Sequence, residues 1–104
     1  MKIVIAGAGE VGTHLARLLG EENHDIIVMD ENKERLQSFK DDAELTPVVG
    51  KCTSFNDLNT AGVKDADLFI GVTPEESRNI LACMLAANMG TKKTLARIDN
   101  YEYL

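Results

Sequence analysis

The chain has 104 residues, 44% of them apolar and 27% charged, with a net charge of −6. That is the composition of one small globular domain with an aliphatic core. The acidic balance argues against nucleic-acid binding and against direct attraction to anionic lipid, and no apolar run approaches the about 18 residues of a membrane-spanning helix. The two cysteines, Cys52 and Cys83, show neither C-x-x-C nor Cys/His spacing, so no zinc site is expected and both read as reduced cytosolic thiols.

Short apolar runs alternate with helix-period segments, the pattern of βαβ units on a parallel sheet. The first strand is expected at Lys2–Ala6, its run continuous as in a strand buried on both faces. Met1 leads straight into it and leaves no room for a signal peptide. Val11, His14, Leu15, Leu18 and Leu19 then recur at helical spacing as one apolar stripe, stopped by Gly20. A second strand follows at Asp25–Asp30. Asn32 is placed to cap a second helix with Leu36 and Phe39 facing inward.

A third strand over 46–49 contains Pro47, which points to a sheet edge or an irregular start. A short helix over 54–61 carries Phe55 and Leu58. The fourth strand is expected over 66–72. Thr73, Pro74 and Glu76 form a helix start, with Thr73 as cap, proline in the first turn and Glu76 closing a capping box. That helix carries Ile80, Leu81, Met84 and Leu85 to Gly90. A fifth strand over 94–98 closes the pattern. Right-handed crossovers give a Rossmann-type doubly wound α/β sheet of order 3-2-1-4-5. A full doubly wound fold has a sixth strand, absent here, so residues 1–104 read as a single nucleotide-binding domain, a piece of a longer protein.

Gly7-Ala8-Gly9-Glu10-Val11-Gly12 reads G-x-G-x-x-G between the first strand and first helix. In that setting the motif predicts dinucleotide binding. Gly7 permits the tight turn, Gly9 lets backbone approach a pyrophosphate, and Gly12 lets helix pack against strand. The helix N-terminus offers free N–H groups and partial positive charge to the phosphates. Asp30 lies 18 residues beyond Gly12, at the end of the second strand. A carboxylate there accepts ribose hydroxyls and repels a 2′-phosphate, favouring NAD(H) over NADP. ADP and ATP are further candidates, with ATP disfavoured by Glu10 in the loop.

Ligands of such sheets lie over the carboxyl ends of the strands. That selects Gly50, Lys51, Cys52 and Thr53 for the adenine side, Thr73 and Pro74 after the fourth strand, and Arg97 near the end of the fifth. Arg97 is equally placed to pair with Asp99. No catalytic constellation is visible. His14 reads as structural, His24 lies in a loop, Cys52 lacks a base, and Glu75-Glu76 reads as helix first-turn charge rather than a metal site. The alternative reading is the cofactor-binding half of an NAD-dependent oxidoreductase whose acid/base would lie elsewhere.

The opening M-K-I-V-I-A-G-A-G-E-V-G-T-H-L-A resembles the TrkA-N (RCK/KTN) family of potassium-uptake regulators. Supporting it are the stretch from Val63 through Ala66-Asp67-Leu68 to Thr73, the stretch Glu76-Ser77-Arg78-Asn79-Ile80-Leu81-Ala82-Cys83, and the ending Ala96-Arg97 through Tyr103. The resemblance covers the whole chain and implies regulation rather than catalysis. It implies a cytoplasmic, NAD(H)- or adenine-nucleotide-binding homo-oligomer, a dimer or tetrameric ring. Its implied partner is an integral membrane potassium-transporting subunit, which holds it at the inner face of the membrane without insertion. Carried over by matching position, the nucleotide residues are Gly7, Ala8, Gly9, Glu10, Val11, Asp30, Thr73, Pro74 and Arg97. Gly50-Lys51-Cys52-Thr53 departs from the family's G-D-A-T or G-D-G-T, placing a cation where an acid is usual.

Overall fold

The computed structural model describes residues 1–99. Its strands are β1 (Lys2–Ala6), β2 (Asp25–Asp30), β3 (Leu45–Val49), β4 (Leu68–Gly71) and β5 (Lys93–Ala96). They form one all-parallel sheet in the order β3-β2-β1-β4-β5, as right-handed crossovers require. Among the described residues there is no sixth strand. The last residues of the motif that begins at Ala96-Arg97 lie outside the described range.

β1 is central, with Val4 opposite Ile27 of β2 and Phe69 of β4. Its side chains alternate between two cores, which explains its unbroken apolar run. Ile3 and Ile5 pack with Ile26, Val28, Phe39 and Ile70 on one face. Val4 and Ala6 pack with Met29, Leu58, Val63 and Phe69 on the other. The first face is covered by α1 (Glu10–Gly20) and a 3₁₀ segment, Lys33–Phe39; the second by α2 (Phe55–Thr60) and α3 (Glu76–Met89).

Helix packing departs from the apolar-stripe reading in one consistent way. The buried residues of α1 are Gly12, Ala16 and Gly20, with Leu15 and Leu19 half-buried against them. Val11, His14 and Leu18 face outward. In α3 the buried face is Asn79, Ala82, Cys83 and Ala86, while Leu81 and Met84 are exposed. Small residues let both helices lie close to the sheet, and a hydrophobic-periodicity count gives glycine and alanine little weight. A Cβ on Gly12 would overlap the Gly7 carbonyl oxygen, so that approach admits glycine alone.

Of the two apolar residues the short helix carries, Phe55 is 63% exposed and Leu58 is fully buried. Leu36 and Phe39 do face inward, but from a 3₁₀ rather than an α-helical turn; Asn32 caps it by accepting from the Glu34 N–H at 2.9 Å. The helix expected to be capped by Thr73 starts at Glu76, with Glu75 as N-cap. The Thr73 hydroxyl instead accepts from the Glu75 N–H at 3.2 Å and donates to Asn79 Oδ1 at 2.7 Å. Asn79 therefore captures the threonine that would have capped the helix.

Candidate functional site

A cleft of about 340 Å³ opens over the carboxyl ends of the strands. One wall comes from the glycine loop and the end of β2, through Gly7, Gly9, Met29, Asp30, Glu31, Asn32 and Arg35. The other comes from residues after β3 and β4, through Gly50, Lys51, Cys52, Thr53, Thr73, Pro74 and Arg78.

The first wall is shaped by backbone. Gly7 has φ +117°, a region closed to most side chains, and a Cβ there would press on the Val72–Thr73 backbone at 3.0 Å. Gly9 is the N-cap of α1 and brings no side chain to the first-turn N–H groups. A Cβ at Gly9 would meet nothing within 4 Å, so the loop faces open space. An uncapped helix start before an open space is an anion-binding geometry.

Asp30 is tied to that loop. Its Oδ2 accepts the Ala8 N–H at 2.8 Å and its Oδ1 accepts the Asn32 N–H at 2.7 Å. The side chain is only 8% exposed. Each carboxylate oxygen has a second lone pair, so the anchored group still accepts hydroxyls. Arg35 Nη1 lies 3.9 Å from Asp30 Oδ2.

The second wall is held by side chains. The Lys51 N–H donates to Asp57 Oδ2 at 2.8 Å, and the Asp57 N–H donates to Ser54 Oγ at 3.2 Å. Asn79, fully buried, accepts the Thr73 N–H at 2.8 Å and donates from Nδ2 to the Thr73 and Arg97 carbonyls at 3.0 and 3.1 Å. One amide thus joins the loops after β4 and β5. Burial pushes the Cys52 thiol up to about 11, with the nearby Arg78 charge opposing. That is the reverse of an activated nucleophile.

The structure brings Gly7, Gly9, Asp30, Lys51, Cys52, Thr53, Thr73 and Pro74 together. Ala8 and Glu10 line an adjoining hollow with Thr13, His14 and Arg17. Val11 and Gly12 line neither hollow; Gly12 acts as a packing contact. Arg97, placed by the sequence either to reach phosphate or to pair with Asp99, lies outside the cleft lining. Its guanidinium pairs with Asp99 at 3.2 and 3.3 Å, two residues along the chain. His14 is exposed rather than structural, and His24 lies 3.1 Å from the N-terminal amine, at the amino-terminal ends of β1 and β2 and away from the cleft.

Two lining cations escaped the sequence reading. Arg35 follows Asp30 by five residues, and the 3₁₀ turn carries it back to the cleft. Arg78 arrives from α3 and pairs with Glu31 at 3.0 Å. The Glu75–Arg78 spacing signals a helix-surface pair but nothing about a cleft. With Lys51 they put three cations against Asp30 and Glu31, a locally basic lining on an acidic chain. Among the described residues no group of three His, Cys, Asp or Glu is placed to hold a metal ion, and no helix is long and apolar enough to cross a membrane.

The model of the TrkA-N domain matches residues 3–104. The chain belongs to the TrkA-N domain family. It is 41% identical to the Trk system potassium uptake protein TrkA of Vibrio alginolyticus, over 100% of this chain and 23% of that one. The TrkA-N chain thus spans about a quarter of the length of that relative. Its fold matches the NAD(P)-binding domain of an exopolyphosphatase-related protein from Archaeoglobus fulgidus, with a TM-score of 0.83 at 13% identity over 96% of this chain and 74% of that one. It also matches the Kef CTD of Shewanella denitrificans, a structure in AMP-bound form, with a TM-score of 0.77 at 21% identity over 91% and 57%.

Proposed function

We propose that this TrkA-N domain is the nucleotide-sensing part of a potassium uptake system. It holds NAD(H) or an adenine nucleotide across the strand ends and acts on a membrane potassium-transporting subunit, from the cytoplasmic side and as a homo-oligomer. The observation that carries the nucleotide reading is the pairing of Gly9, open and uncapped, with Asp30, anchored to the same loop by the Ala8 N–H. A pyrophosphate at the helix start and a ribose at the carboxylate are then positioned by one rigid unit. The potassium reading is supported by the names of the full-length relatives.

The ligand acts here as signal rather than reagent. Neither histidine lines the cleft, His14 lying in the adjoining hollow, and the Cys52 thiol is pushed up to about 11. A bound nucleotide bridges the glycine-loop wall and the Thr73 wall, so it favours whichever arrangement of the two walls binds it better.

Calorimetric titration with NADH, NAD, ADP and ATP tests the reading. We expect binding of the adenine ligands and a loss of about 2 kcal/mol in Asp30→Ala for each ribose-bearing ligand, the scale of hydrogen bonds to a charged group. Unchanged binding in that variant removes the ribose assignment, and turnover of NADH with any substrate removes the regulatory one.

A further inference from the structure

Arg78 is held differently from the other cations of the cleft. Its Nη1 donates to Glu31 Oε1 at 3.0 Å, and its Nη2 lies 3.4 Å from Glu75 Oε2. Glu31 belongs to the wall that carries Asp30, whereas Arg78 belongs to the other and Glu75 is the N-cap of its helix. The guanidinium therefore crosses the cleft mouth, fixed from both sides, and its charge is felt at the Cys52 thiol. That places it over the stretch between Glu31 and Cys52, on the far side of Asp30 from the glycine loop.

The proposed nucleotide has a fixed internal order of phosphate, ribose and base. With phosphate at Gly9 and ribose at Asp30, the base extends into this stretch. The lining there includes Met29 and Cys52, both members of the apolar core between the sheet and α2 and α3. The roof is a planar cation whose N–H donors lie in its plane, so carboxylates engaged at its edge leave its face free. Two carboxylates also largely neutralise it, which makes it a poor phosphate counter-ion. A flat, tethered, partly neutralised guanidinium above an apolar floor suits the face of a purine.

We propose that Arg78 is the base-stacking residue of this cleft, its guanidinium plane held by Glu31 and Glu75 against the adenine of the bound nucleotide. This rests on the nucleotide reading above. It makes Arg78 a specificity-determining residue that recognises a planar base through its face, and makes Glu31 the residue that positions it.

The test separates plane from charge. Wild type, Arg78→Ala, Arg78→Lys and Glu31→Gln are titrated by calorimetry with ADP and with inorganic pyrophosphate, after thermal melts show that each is folded. Stacking predicts that both Arg78 variants weaken ADP about tenfold, with pyrophosphate unchanged and Glu31→Gln showing a smaller loss of the same kind. Lysine preserving ADP affinity, or pyrophosphate weakening in parallel with ADP, overturns the proposal in favour of a simple charge contact. Unchanged ADP binding in both Arg78 variants overturns it outright while leaving the nucleotide reading intact. Failure of the wild-type protein to bind ADP or NADH removes the nucleotide reading itself, and the stacking role with it.

Discussion

The two walls of the cleft are built by different means. The glycine-loop wall owes its shape to backbone: a left-handed Gly7, a bare Gly9, and a carboxylate that accepts two main-chain N–H groups. The opposite wall owes its shape to side chains that reach across loops, with Asp57 holding Lys51 and Asn79 holding Thr73 and the Arg97 carbonyl. The first joins two loops 22 residues apart through main-chain donors and is intolerant of added atoms. The second depends on a few polar side chains with partners six to eighteen residues away, and it is intolerant of lost ones.

That contrast breaks most visibly at Gly12. Gly12→Ala drives a methyl into the Gly7 carbonyl with backbone on both sides, so helix and loop must separate. We expect a loss of about 4 kcal/mol, at the high end for overpacking, read as a large fall in denaturation midpoint; an unchanged midpoint means the backbone wall is soft. Asn79→Leu probes the other wall by removal. It strands the Thr73 N–H and frees two carbonyls, and we expect a loss of about 3 kcal/mol in chemical denaturation. A loss no larger than that of an exposed α3 substitution such as Ser77→Ala would show that the second wall does not depend on its buried amide.

The smallest effect sharpens the comparison at Cys52. Its raised value means the neutral thiol persists through neutral pH, with a thiolate fraction on the order of one in a thousand at pH 8. Alkylation of Cys52, followed by mass spectrometry, should rise about tenfold per pH unit toward 11 rather than level off near 9. Because the folded value exceeds the unfolded one, the thiol's contribution to stability is complete below pH 9 and is lost as pH climbs toward 11. Levelling near 9 would mean that the second wall opens readily to solvent.

The same division decided what could be read from sequence. Strand order and the glycine-loop wall were legible because a continuous apolar run, a glycine spacing and a strand-end acid are each local signals with one physical cause. Arg78 was not legible: its partner Glu31 lies 47 residues away, and only the fold brings them together. Arg97 stayed between two readings because a strand-end cation suits a phosphate or a neighbouring acid equally, and the structure shows it paired with Asp99. The helix faces were misread because the residues that bring a helix closest to a sheet are those with the least side chain to count.

Pro47 carries a last consequence. Gly50 donates its N–H inward to the Asp30 carbonyl at 3.0 Å, and strand groups alternate in direction, so the nitrogen of Pro47 points away from β2. A strand approaching the sheet from that side meets a ring where a donor should be. The far edge, β5, has Leu95 exposed and no proline between Lys93 and Ala96. The sheet is polarised: proline blocks growth at one border, and β5 carries no such block at the other.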